Sequence, residues 1–108
     1  MYVEIVMMAV RPEDAALFLA RRDAAMAAIR GRFPELSTAT LVRLDERRWV
    51  DWVEWASAEQ AHAAAEAAPG IEAVAEWFGL IESVESMQHG QVVHRFGPDS
   101  AAAVGADG

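Results

Sequence analysis

From Tyr2 to Val10 the chain is apolar at almost every position, and Glu4 is the only charge in the run. A segment apolar on both sides of a period-two ladder predicts a central strand covered on both faces. Pro12 suits a first helical turn, and Glu13 and Asp14 complement the positive end of a helix dipole. Ala15, Phe18, Leu19, Ala25, Met26, Ile29 and Phe33 then recur at helical spacing, so a helix is predicted to about Phe33, closed by Gly31 and Pro34. A second strand is predicted over Thr38–Leu44 and a third over Trp49–Trp55, joined as a hairpin by Asp45-Glu46-Arg47-Arg48. Ser57 and Gln60 have the spacing of a reciprocal capping box, followed by an alanine-rich helix that Pro69-Gly70 ends. Val74, Trp77, Phe78, Ile81 and Val84 predict one more helix over 71–84, and a last strand is predicted over 87–96.

The order β-α-β-β-α-β predicts an α+β, ferredoxin-like domain: a four-stranded antiparallel sheet with the helices on one face. The strands nevertheless carry apolar groups on both faces. Val3, Ile5 and Met7 oppose Tyr2, Val6 and Met8, and Val50 and Trp52 oppose Val53 and Trp55. A lone subunit would leave one oily face in water, so a sheet-to-sheet homodimer is expected, a dimeric α+β barrel. Residues 1–96 form the expected single domain and 97–108, rich in Gly, Ala, Asp, Ser and Pro, a flexible C-terminal tail.

Charge narrows the partners. With 108 residues, a formal net charge of −8 and nine basic residues, all scattered arginines, the chain lacks the cationic face that nucleic acid or an anionic membrane needs. No apolar run approaches the roughly 20 residues of a bilayer span, and Met1-Tyr2-Val3-Glu4 has no basic lead-in to a secretory signal. Without cysteine there is neither disulfide nor thiolate chemistry. A cytoplasmic location is expected.

The most informative segment is Trp49-Val50-Asp51-Trp52-Val53-Glu54-Trp55-Ala56-Ser57. Its third-strand Trp-x-Ser ending, followed by an acidic helix start and alanines, resembles the dimeric α+β barrel superfamily, and within it the antibiotic biosynthesis monooxygenase-like branch. The resemblance spans about residues 2–96. It implies cofactor-independent oxidation of aromatic or polycyclic small molecules, with Trp55 lining a pocket between sheet and helices. An asparagine of that pocket is replaced here by Asp51, and Ala61 and Ala75 stand where the branch carries a pocket tyrosine and arginine. Haem-degrading relatives need a first-strand asparagine and a histidine in the second helical region. The first strand has no asparagine and Trp77 occupies the histidine's neighbourhood, which disfavours that activity.

Period-two geometry puts Trp49, Asp51, Val53 and Trp55 on one strand face. Asp51 is then either a desolvated base for a phenolic proton or one half of an ion pair. Arg22 falls in the middle of the first helix's apolar stripe and needs a partner, Asp51 or Glu4, or a route to water. The candidate catalytic set is Asp51, Trp55 and Arg22, with Trp49, Trp77, Phe78 and Glu4 expected against the substrate. No cofactor or metal is expected: His89 and His94 point to opposite faces of one strand, and His62, between Glu59 and Glu66, has the surroundings of a solvated stripe. The rival reading is a non-catalytic dimeric module for a small hydrophobic ligand or a protein, in which Trp55, Trp77 and Phe78 fill the space between helices and sheet.

Overall fold

In a computed structural model, which describes residues 1–98, the chain forms β1 (Tyr2–Val10), α1 (Ala15–Arg32), β2 (Leu36–Arg43), β3 (Arg48–Trp55), α2 (Ala58–Ala67), α3 (Glu72–Phe78) and β4 (Ile81–Gln91). The four strands make one antiparallel sheet in the order β2-β3-β1-β4, with the helices on one face: the ferredoxin-like topology the element order predicts. No helix among the described residues is long and apolar enough to cross a membrane. Most of the expected tail, from residue 99 on, lies outside the described residues.

Local chemistry sets the joints. Pro12–Asp14 makes a single 3-10 turn that leads into α1. At the far end of α1, the Arg30 guanidinium donates to the carbonyls of Leu36 (3.1 Å) and Ser37 (2.7 Å), which aims the chain into β2. In the β2–β3 hairpin, Asp45 Oδ1 accepts from the backbone N–H groups of Arg47 and Arg48, and these two bonds hold its carboxyl below the ordinary range. Ser57 caps α2 by accepting from the Gln60 N–H at 3.2 Å. The reciprocal half of the box is absent. The Gln60 side chain instead accepts from the Glu35 N–H and donates to the Glu35 carboxylate, tying α2 to the α1–β2 turn.

One element departs from the pattern. Ile81 and Val84 belong to β4, not to a helix that ends at Val84, because Gly79 closes α3 with its N–H on the Ala75 carbonyl. The difference has a geometric cause. Val10 pairs with Ile81, Met8 with Val84, Val6 with Met87 and Glu4 with His89, and the register slips between Met7 and Met8 and again between Ala9 and Val10. Each extra residue stretches the strand's period from two to three. Ile81, Val84 and Met87 therefore share the helix-facing side while spaced like helix residues. β4 consequently starts six residues earlier than the apolar pattern predicts, and it ends at Gln91 rather than near Phe96.

The core lies between sheet and helices. Trp77 stacks on Phe18 (ring centroids 4.7 Å), Trp49 meets Phe18 edge-on, and the Trp77 indole donates to the Phe18 carbonyl at 2.9 Å. Ala61 and Ala64 are buried and let α2 lie close to the sheet. On the opposite face Val3, Ile5, Met7, Val50 and Trp52 form an apolar strip with no helix over it, and Trp52 is 37% exposed. After β4, Val92 N–H continues the ladder to the Met1 carbonyl, and the chain then returns to that face, where Val3 is buried and Arg95 pairs with buried Glu54.

Candidate functional site

Between the sheet and the helices is a hollow of about 500 Å³, open along β4. Met8, Met26, Val53, Trp55, Trp77 and Phe78 line it, and Ile81, Val84 and Met87 of the bulged strand form its rim. Trp55, Trp77 and Phe78 thus wall the space rather than fill it. Its polar lining is acidic: Glu4, Asp51 and Glu82, with Ser83, and no arginine or histidine.

Two of these acids are buried side by side. Asp51 on β3 stands opposite Val6, and Glu4 on β1 stands opposite Val53, so the carboxyls occupy diagonal positions on adjacent strands. They are only 5% and 8% exposed. Asp51 Oδ1 takes a 2.7 Å hydrogen bond from Arg22 Nη2, and the Arg22 guanidinium also sits 5.4 Å from the centre of the Trp77 ring. The arginine in the apolar stripe therefore finds its partner in Asp51 and stays buried instead of reaching water. Its other terminal nitrogen, Nη1, is buried with no protein hydrogen-bond partner.

Glu4 has no such counter-charge. Its Oε1 accepts from the Trp55 indole N–H at 2.7 Å. Burial pushes the Glu4 carboxyl above its ordinary value and the nearby Asp51 adds to the rise; the indole bond, His89 and His62 oppose it. The arrangement supplies a desolvated carboxyl, held by an indole, at the wall of an aromatic hollow. That is an environment in which a carboxylate is a stronger base than its solvated form.

The other expected residues fall as follows. Trp55, Trp77, Phe78, Asp51 and Glu4 all lie on the hollow. Arg22 does not; it stands behind Asp51, on a smaller recess with Arg30 and Ala39. Trp49 is also absent from the lining, being 2% exposed against Phe18 with the Arg43 guanidinium 4.8 Å over its ring. Its indole N–H is buried without a protein acceptor.

A further cluster flanks Glu4. Tyr2 on β1 bonds through its hydroxyl to His62 Nε2 on α2 (3.1 Å) and to His89 Nδ1 on β4. The Tyr2 and His89 rings stack at 5.6 Å, and His62 lies edge-on to Tyr2 at 5.7 Å. Burial, then the charge of Glu4, raises the pKa of the phenol. The sequence pattern separates these three residues. Only the β1–β4 register, with its two slips, puts His89 directly across from Glu4. His94 lies beyond β4, so it shares no strand with His89. No group of three or more His, Cys, Asp or Glu side chains among the described residues could hold a metal ion.

Solved structures share this architecture. One is a candidate antibiotic biosynthesis monooxygenase of Bordetella bronchiseptica, 20% identical, TM-score 0.71, covering 86% of this chain and 97% of that one. Another is a dimeric ferredoxin-like protein from an uncultured marine organism, 17% identical, TM-score 0.67, covering 89% and 98%. A third is a variant of MhuD with two manganese protoporphyrin IX molecules bound per active site, 24% identical, TM-score 0.63, covering 90% and 99%. The chain has the ferredoxin-like fold that these structures share. No family model matches it, and no curated protein does.

Proposed function

We propose that the protein is a cofactor-independent monooxygenase that oxidises an aromatic or polycyclic phenol-type compound with molecular oxygen. The observation that carries this reading is the open hollow of about 500 Å³ with the buried Glu4 carboxyl on its wall. A flat substrate enters along β4 and lies among Trp55, Trp77 and Phe78. Ionised Glu4 removes a proton from an acidic C–H next to the aromatic rings. The carbanion gives one electron to dioxygen, the two radicals combine to a hydroperoxide, and loss of water leaves a carbonyl. In balance, one ring methylene and one dioxygen become one carbonyl and one water. The two C–H bonds supply all the electrons, and no reductant is consumed. Asp51 and Arg22 hold each other, so their part is to set the field and the shape behind Glu4.

The chain works as a homodimer in this proposal, through the apolar strip of Ile5, Met7, Val50 and Trp52. Burial of such a strip by a second copy accords with its composition. The residues on the hollow do not fit haem. They include no histidine, and Glu4, Asp51 and Glu82 would repel the propionates with no lining cation to receive them.

The test is a thermal-shift screen of phenols, quinols, anthrones and haem, because a ligand that binds only the folded state raises its stability. Any binder then goes to an oxygen electrode. The reading expects 1,8-dihydroxyanthrone to bind and consume oxygen in a one-to-one ratio with quinone formed. Binding without oxygen uptake would favour the rival, a ligand-binding module.

A further inference from the structure

A base buried in an oily hollow has to exchange its proton with water before it can act again. Glu4 is covered by sheet and helices, and its Oε1 is already occupied by the Trp55 indole. Directly across the ladder stands His89, on the edge strand and exposed to solvent. Paired positions in an antiparallel ladder hold their Cβ atoms about 4.5–5.5 Å apart, so two side chains of this length meet without backbone movement.

The ring of His89 is not free to turn. The phenol of Tyr2 stacks on it and binds its Nδ1, and the same phenol oxygen binds His62 Nε2. A tyrosine hydroxyl has one proton. It therefore donates to one imidazole and accepts from the other, which makes a directional chain from α2 through β1 to β4. With Nδ1 held in that chain, Nε2 is the nitrogen of His89 left to take and give protons. The groups facing Glu4 are then Asp51 and Trp55 from β3, His89 from β4, His62 from α2, and Tyr2 from its own strand.

We propose that His89 carries protons between Glu4 and bulk water, with Tyr2 and His62 as the positioning residues that hold its ring; this rests on the oxidation chemistry proposed for the hollow. The proton that Glu4 takes from the substrate passes to His89 Nε2 and from there to solvent. The proton that completes the departing water returns by the same route, so the relay is neutral over a full turnover.

The experiment measures oxygen uptake with 1,8-dihydroxyanthrone at neutral pH, alongside the carbon-13 NMR titration of the Glu4 carboxyl, assigned with Glu4→Gln. His89→Gln is expected to slow uptake about tenfold, and imidazole added to the buffer to restore it, since a mobile base replaces the missing ring. Tyr2→Phe and His62→Gln are expected to slow it about threefold, a loss of ring placement rather than of the proton carrier. In the absence of substrate, His89→Gln is expected to move the Glu4 midpoint upward, because the ring that opposes the rise at Glu4 is gone. Wild-type uptake by His89→Gln, a loss that imidazole does not rescue, or an unmoved Glu4 midpoint would each overturn the relay. No anthrone oxidation by the wild type, with the Glu4 midpoint still moving, would sink the oxidation reading and leave the proton coupling standing.

Discussion

Two buried acids sit on neighbouring strands, and they are treated oppositely. Asp51 is neutralised by a guanidinium at 2.7 Å, itself buried under α1. Glu4 has an indole on one oxygen, a ladder partner with a titratable ring, and a carboxyl that burial pushes upward. The first is an acid tied by a short hydrogen bond to a buried guanidinium that nothing can easily replace. The second is an acid whose proton is poised to move. Proximity to the hollow does not distinguish them, since both line it. The identity of the nearest partner does: a permanent cation makes a carboxylate structural, and a neutral donor beside an exposed imidazole leaves it available for chemistry.

The contrast can be broken from its Asp51 side first. Arg22→Ala leaves a buried carboxylate without its counter-charge and is expected to cost about 3–5 kcal/mol in urea unfolding. The double variant Arg22→Met with Asp51→Leu is expected to recover most of that loss, since a buried pair can be exchanged for packed hydrophobic groups. Loss in the double variant equal to the single would mean Arg22 acts through something other than Asp51. From the Glu4 side, Glu4→Gln is expected to keep the fold and the anthrone thermal shift but to slow oxygen uptake about 100-fold, roughly 2.7 kcal/mol of barrier. Retained activity would move the base to another residue.

On the far face of the sheet, Trp52→Ser is expected to weaken self-association by about 1–2 kcal/mol, read as a larger dissociation constant in sedimentation. An unchanged constant would place the dimer contact elsewhere. The smallest effect is on stability against pH, and its sign follows from the raised Glu4 value. A carboxyl with an elevated native pKa favours the fold when protonated. That contribution is whole below its ordinary 4.5 and is lost as the pH climbs through the elevated native value. Glu4→Gln should therefore flatten the decline of unfolding free energy over that interval. A wild-type curve that rises there instead would contradict the assignment.

The arrangement around Asp51 was legible in the sequence because it depends on single-element periodicity. Arg22 interrupts an apolar stripe with a period of 3.6, Asp51 interrupts one with a period of two, and the two anomalies answer each other across one layer of packing. The Glu4 arrangement was legible only in part. Glu4 stands out as the lone charge of β1, but its neighbours come from strand register and from α2. Register became unreadable where the bulges of β4 gave a strand the spacing of a helix. That same irregularity hid Ile81 and Val84 as rim residues and kept Tyr2, His62 and His89 apart in any one-dimensional reading. The Gln60 side chain shows the same limit at smaller scale: its spacing from Ser57 fits a reciprocal cap, but Glu35, 25 positions away, takes it.

The two slips in β4 also bear on what the outer edge of the sheet can recruit. A long outer strand with a regular row of unmet amide and carbonyl groups is a template for another chain to add to. Here that row is kinked twice along an 11-residue edge that carries Glu82 and Glu85, so a would-be recruit meets broken spacing and like charge. The sheet thereby refuses to lengthen into a filament.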